Sequence, residues 1–200
     1  MTTASTGVDR ILLRDSLSRW PSGVAVVTTV DSAGVRRGFT ATAFSSLSLD
    51  PPLILVCLDR TADCRPAFDK AEVMAVHLLR EDQAHLAQRF ATKNIDKYDG
   101  LPASEGLRGV PLLGGVVARI ECELDRRIDA GDHVILVGLV RRCEVFAGRP
   151  LVYFARAFHG LQTGPPHSQT REAETHAHDE HDAHRSPGGH GAGGGRGQGG

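Results

Sequence analysis

His133 follows Gly131 and Asp132 and opens the apolar run "HVILVGLV". An imidazole there can hold or give a proton near neutral pH. A second group of interest is the stretch "GFTATAFSSLSLDPPLILVCLDRTADCRP", Gly38 to Pro66. Its first half is crowded with hydroxyls: Thr40, Thr42, Ser45, Ser46 and Ser48. Two prolines follow, then an apolar run, then a polar turn carrying Asp59, Arg60, Thr61 and Arg65. Small side chains and hydroxyls suit a ligand that lies close to backbone and has polar edges. The turn after the apolar run offers N–H groups, the Thr61 hydroxyl and the Arg65 cation to an anion. A third segment, "RFATKNIDKYDG", places Phe90, Ala91 and Lys97 in a short span. No carboxylate pair stands out, so the chemistry points to binding and orientation more than to acid–base work.

These residues must be held by mostly extended chain. Asp9 is placed to cap a first helix with Leu13, Leu17 and Trp20 on one face, ended by Pro21 and Gly23. "VAVVTTV" reads as a β-branched strand, "DSAG" as a turn, and "VRRGFTATAF" as the returning strand of a hairpin. "LILVCL" has the continuous apolar character of a strand buried on both faces. A short helix is expected near Pro66, a strand at "VMAVHLL", and a helix at "QAHLAQRF" capped by Asp82, with Leu86 and Phe90 on one face. Residues 91–115 read as irregular. "VVARIECELDRRI" alternates, with Ile120, Cys122 and Leu124 on one side and Arg119, Glu121 and Glu123 on the other. "HVILVGLVRRCEVF" is its long partner across the turn "AGD", and "LVYFARAF" follows "AGRP". Strands joined by short turns, without repeated βαβ alternation, predict a mainly β protein: an antiparallel barrel with a few accessory helices.

The 200 residues suit one domain, residues 1–164, with an appendage, residues 165–200. The appendage lacks Val, Ile, Leu, Phe, Tyr and Trp and is rich in His and Gly, so it is expected to be a disordered tail. Its "GRGQGG" spells the dinucleotide pattern at Gly195, Gly197 and Gly200, but no strand leads into it. His176, His178, His181 and His184 in the same tail are either a solvated tract or a loose metal chelator; a solvated tract is the simpler reading. A net charge of −1 gives no general attraction to nucleic acid or anionic membrane. Cys57, Cys64, Cys122 and Cys143 form no C-x-x-C pair and read as reduced, structural thiols without a metal. With no apolar leader or membrane span, a cytoplasmic location is expected. The body has no P-loop, H-E-x-x-H, G-x-S-x-G or G-x-G-x-x-G, so hydrolase triads and a separate nicotinamide domain have no support.

Five segments in order, "RWPSGVAVVTT", "GFTATAFSSLSLDPPLILVCLD", "AVHLLREDQAHLAQRFA", "GDHVILVGLV" and "PLVYFARAFHGL", resemble the short-chain flavin reductases. These are the flavin reductase components of two-component monooxygenases, with the FMN-binding split β-barrel fold. The resemblance implies a homodimer that binds FMN or FAD and oxidises NADH or NADPH. Reduced flavin would then pass to a separate flavin-dependent monooxygenase. An oxidase with tightly held FMN and a non-catalytic flavin-binding module remain as alternatives on the same fold.

It also implies a site. Thr40, Ala41, Thr42 and Ala43 would line the flavin ring, although the family segment is often T-A-N-S and this chain has one side-chain donor fewer. Ser46 and Ser48 would meet the ribityl chain or stabilise the next turn. Cys57, Leu58, Asp59 and Thr61 would border the flavin, with Arg65 as a phosphate partner or a surface residue. Phe90 and Ala91 would bound the site, and Lys97 is either a phosphate or adenosine contact or a solvated lysine. His133 would orient nicotinamide or donate to reduced flavin, unless it is a rim histidine bonded to backbone. Phe158 would close the nicotinamide side. His77, inside a strand, reads as a structural histidine.

Overall fold

The computed structural model describes residues 7–162 and Gly164. The tail reading, with its histidines, lies outside the described residues. Helix α1 spans Arg10–Leu17, and the Asp9 side chain accepts the Ile11 N–H at 2.7 Å as its N-cap. None of its residues is buried; Leu13, Leu17 and the following Trp20 stand exposed. Strands β1 (Ser22–Gly23), β2 (Ala25–Val30) and β3 (Arg36–Ala41) follow. Asp31 closes the β2–β3 turn by accepting from Ala33 and Val35, and Gly34 takes the positive φ of 78° that the turn needs.

Next come β4 (Phe44–Leu49), β5 (Pro52–Asp59), α2 (Arg65–Lys70), β6 (Val73–Leu78) and α3 (Ala84–Ala91). A small pair, β7 (Ala103–Glu105) and β8 (Pro111–Leu113), flanks a 3₁₀ turn at Leu107–Gly109. The long strands β9 (Ala118–Ala130) and β10 (His133–Val145) form a hairpin, and β11 (Leu151–Phe154) and β12 (Ala157–Gly160) complete the order. The main sheet is antiparallel, in the order β3-β2-β6-β9-β10-β5-β4. β1, β11 and β12 form a separate small sheet. Among the described residues no helix is long and apolar enough to cross a membrane.

The strand order forces the sheet to curl. Edge strands β3 and β4 lie at opposite ends of the sheet, yet only Thr42 and Ala43 join them. That link spans at most about 10 Å, so the two edges must converge there. Side chains from β2, β3, β5, β6, β9 and β10 accordingly meet in one core with Phe68 of α2. Phe68 packs edge-on against Phe39, their ring centres 5.1 Å apart. On the other face, Val24, Val26 and Leu79 pack with Leu86, Ala87 and Phe90 of α3.

Several local expectations are corrected. "VRRGFTATAF" is not one strand; it breaks at Thr42–Ala43 because the chain must cross from one sheet edge to the other. Asp82 does not cap α3, being paired with Arg80; Gln83 holds the cap position and ties it to the Gly114 carbonyl. Residues 91–115 contain β7 and β8, which cover one face of the main sheet, and Glu121 is therefore buried and accepts the Leu107 N–H. In β5 only Ile54, Val56 and Leu58 are buried; Leu53, Leu55 and Cys57 alternate onto a face that this chain leaves partly open.

Candidate functional site

A cavity of about 240 Å³ opens at the β3–β4 break. Its floor is Phe39 to Ala43, where the chain crosses between sheet edges. The Ala43 carbonyl accepts the Cys57 N–H at 3.0 Å, which anchors this crossing to β5. Cys57, Leu58 and Asp59 form the wall on that side, with Ala62 and Asp63 of the next turn. Phe90 and Ala91, at the C-terminal end of α3, form the opposite wall with Lys93 and Lys97. His133 completes the rim, because the β10–β5 register puts it directly across from Asp59.

The hydroxyls on this floor differ in use. Thr40 Oγ1 donates to the Ala87 carbonyl at 2.6 Å, tying β3 to α3, so its proton is committed. Thr42 is exposed and its hydroxyl makes no hydrogen bond among the described residues. Nor do the backbone N–H groups of Thr42 and Ala43. Backbone donors without a protein partner, beside small side chains, are what a flat ligand with carbonyl and ring-nitrogen edges requires. The cradle therefore fits an isoalloxazine ring.

Charge around the cavity is arranged in two short networks. Asp59 accepts from the Thr61 hydroxyl at 2.7 Å and the Thr61 N–H at 2.6 Å, and these bonds hold its carboxyl below the usual carboxylate range. Lys93 Nζ donates to the Thr61 hydroxyl oxygen and carbonyl at 2.9 and 3.0 Å. In the second network Lys97 Nζ, itself buried, donates to Asp63 and to the Gly38 carbonyl, each at 3.0 Å. Burial works to raise the Asp63 carboxyl, but the Asn94 N–H and Lys97 outweigh it and the pKa falls. Burial also pushes the Cys57 thiol up, so it stays neutral and offers no thiolate. His133 Nδ1 lies 2.7 Å from Asp132 Oδ1, which leaves Nε2 for a partner outside the chain.

Thr40, Ala41, Thr42, Ala43, Cys57, Leu58, Asp59, Phe90, Ala91, Lys97 and His133 thus share one cavity. Five sequence candidates lie elsewhere. Ser46 and Ser48 sit on β4 around a bulge, beyond the crossing. Thr61 stands one hydrogen bond behind Asp59 and Lys93. Arg65 pairs with Asp69 one turn along α2, a helix of only 6 residues with Cys64 at its cap, so no cation of α2 reaches the cavity. Phe158 of β12 packs on Tyr153, with ring centres 5.3 Å apart, and belongs to the α3-side core. The sequence reading missed Phe39, Ala62, Asp63 and Lys93. Asp63 had one usable signal, a carboxylate in the turn already suspected of facing a ligand; Lys93 had none, because only folding brings it to Thr61.

His77 is fully buried away from this cavity, with Nδ1 3.0 Å from the Val26 carbonyl. That geometry gives it a structural place between β6 and β2.

Comparison with known proteins places these features in a family. Residues 17–162 match the family model described as flavin reductase like domain. The actinorhodin polyketide dimerase of Streptomyces coelicolor is 48% identical, over 76% of this chain and 87% of its own length. The reductase subunit HsaB of a flavin-dependent monooxygenase from Rhodococcus jostii is 33% identical, over 80% of this chain and 82% of its own. Among solved structures, the NADH:FAD oxidoreductase SgcE6 of Streptomyces globisporus superposes with a TM-score of 0.74 at 32% identity, covering 78% of this chain and 95% of that one. SgcE6 has also been solved with NAD and FAD fragments.

Proposed function

The chain belongs to the flavin reductase-like family, and on that premise we propose that it is an NAD(P)H:flavin oxidoreductase that supplies reduced flavin to a separate flavin-dependent monooxygenase. The carrying observation is the β3–β4 crossing. Thr42 and Ala43 present unused backbone N–H groups beside small side chains, with His133 across the same cavity.

The reaction moves a hydride from nicotinamide C4 to flavin N5, chemistry that belongs to the two nucleotides. The chain's part is to bind, orient and exclude water. Thr42 and Ala43 would hold the polar edge of the ring through their N–H groups. The small side chain of Ala43 would let it lie close to backbone, while Ala41 and Leu58, buried in the core, fix the wall behind it. Lys93 and Lys97 are the cations on this cavity's wall and would be the ones available to a flavin phosphate. His133, held through Nδ1 by Asp132, has Nε2 left over and would use it to orient the nicotinamide or to donate to the reduced ring. Because Thr42 and Ala43 are exposed, the ring is held at an open ledge, which suits a flavin that must leave as product.

We also propose that two copies associate. Leu49 is 94% and Val145 86% exposed, and β5 leaves Leu55 and Cys57 half-covered, surfaces that a second copy would bury. Sedimentation should give twice the chain mass of 21.4 kDa; the mass of a single chain would remove this part of the proposal. The activity is tested by NADH oxidation with and without added FMN or FAD. Oxidation should require the flavin, and a rate unaffected by either flavin would overturn the reading.

A further inference from the structure

His133 and Asp59 stand directly opposite each other in the β10–β5 pair, so both side chains leave the same face of the sheet. Both line the cavity floored by the β3–β4 crossing. Each has one polar atom committed and one left over. Asp59 takes both Thr61 bonds, from the N–H and from the hydroxyl, on Oδ1, so Oδ2 has no partner among the described residues. His133 Nδ1 lies 2.7 Å from Asp132 Oδ1. That ring bond holds the Asp132 carboxyl below the usual carboxylate range. A carboxylate only accepts, so the ring proton sits on Nδ1, and the neutral imidazole offers a lone pair at Nε2.

Two acceptors therefore share one cavity, and they are not bonded to each other: the imidazole's carboxylate partner is Asp132. The cavity's cations do not answer them. Lys93 donates to the Thr61 hydroxyl oxygen and carbonyl, Lys97 donates to Asp63 and the Gly38 carbonyl, and neither bonds Asp59 Oδ2. A pair of acceptors is matched by one nitrogen that carries two hydrogens. The oxidised isoalloxazine ring has a single N–H, at N3, and cannot satisfy both. A primary carboxamide can. Nicotinamide bears one on the carbon next to the C4 that gives up its hydride, so holding the NH2 group would also orient C4.

We propose, resting on the flavin reductase reading, that Asp59 is a specificity-determining residue for the reductant: its Oδ2 and His133 Nε2 together accept the two hydrogens of the nicotinamide carboxamide, while Thr61 holds the carboxylate in place. The probe is the 3-acetylpyridine analogue of whichever dinucleotide, NAD or NADP, the wild type turns over; it carries a methyl group where the carboxamide has NH2. The oxidised nucleotide and its analogue are titrated by calorimetry into flavin-saturated wild type, Asp59→Asn and Asp59→Ala, and the reduced forms are compared by kcat/KM. Asp59→Asn keeps an oxygen for Thr61 and puts a donor where Oδ2 was; Asp59→Ala removes both atoms. Each variant should lower the preference for the carboxamide by about tenfold, the size of one bond to a charged acceptor, by weakening the natural nucleotide and not the analogue. The kcat/KM ratio should fall by the same factor. An unchanged preference would overturn the proposal. So would equal losses for nucleotide and analogue, which would put Asp59 on another part of the dinucleotide or on the shape of the Thr61 turn, and so would a loss of flavin affinity with the preference intact. If wild type reduces flavin with neither dinucleotide, the failure lies with the flavin reductase reading itself.

Discussion

Lys97 Nζ lies 3.0 Å from Asp63 Oδ1, with the lysine side chain only 9% exposed, and both residues line the cavity floored by Thr42 and Ala43. Removing the cation leaves the Gly38 carbonyl without its donor and the part-buried Asp63 carboxylate without its counter-charge, held by the Asn94 N–H. Lys97→Met should therefore cost about 2–4 kcal/mol of stability. Lys97→Met combined with Asp63→Leu should recover much of it, since no uncompensated charge remains. Denaturant unfolding of the single and double variants checks this; a double variant no more stable than the single one would show that the pair is not the source.

Gly38 provides a second, steric test. A Cβ there would stand 2.8 Å from both a Phe90 ring carbon and the Val27 carbonyl oxygen, whereas at Gly23 it would meet nothing within 4 Å. Gly38→Ala should lower stability by about 1–3 kcal/mol through overpacking, and should widen the cavity wall that Phe90 forms. Gly23→Ala should be near neutral. Thermal unfolding of the two variants gives the comparison, and equal melting points would contradict the packing described around Phe90.

His77 sets an acid limit on the fold. Burial pushes its pKa down to about 4 from 6.5, outweighing the Val26 carbonyl bond that favours the charged form. The unfolded chain therefore binds a proton between those values that the folded chain refuses. Stability from this residue is fully present above pH 6.5 and is lost as pH falls toward 4, by about 3 kcal/mol in all. His77→Gln should flatten that part of the stability–pH curve. An unchanged slope between pH 6 and 4 would locate the acid sensitivity elsewhere.

His133→Ala should separate binding from turnover. On the proposed roles the Thr42–Ala43 donors and not the imidazole hold the flavin ring, so flavin affinity should move little. kcat/KM for NADH should fall by about tenfold or more. Asp132→Asn, which removes the negative charge beside Nδ1 but keeps an oxygen acceptor, should produce a smaller loss. Kinetics identical to wild type would remove His133 from the mechanism.

The parts of the fold that depend on neighbouring residues were legible in the sequence. The β2–β3 hairpin turn, the Asp9 cap and the β9–β10 hairpin follow from local turn and capping chemistry. The hydroxyl-rich stretch also coincides with the candidate cavity, since Thr42 and Ala43 lie on its floor. What escaped depends on contacts between distant segments. Thr40 looked like a ligand donor, but its hydroxyl is taken by Ala87, 47 positions later. Arg65 read as either a phosphate partner or a surface residue; α2 turns it onto Asp69. Lys93 reaches the same turn from 32 positions away, a relation no local pattern carries. Leu55 and Cys57 read as buried because an apolar run does not reveal which face the chain leaves uncovered.

The central claim, that flavin passes through the Thr42–Ala43 ledge as a substrate, is tested most directly by counting reduced flavins under anaerobic conditions. Catalytic protein is mixed with excess NADH or NADPH and excess FMN or FAD, and the loss of the flavin's visible absorbance is followed. Reduction of many flavins per chain in at least one pairing is the predicted result. Reduction that stops at one flavin per chain, or that proceeds no faster than without protein, would contradict it.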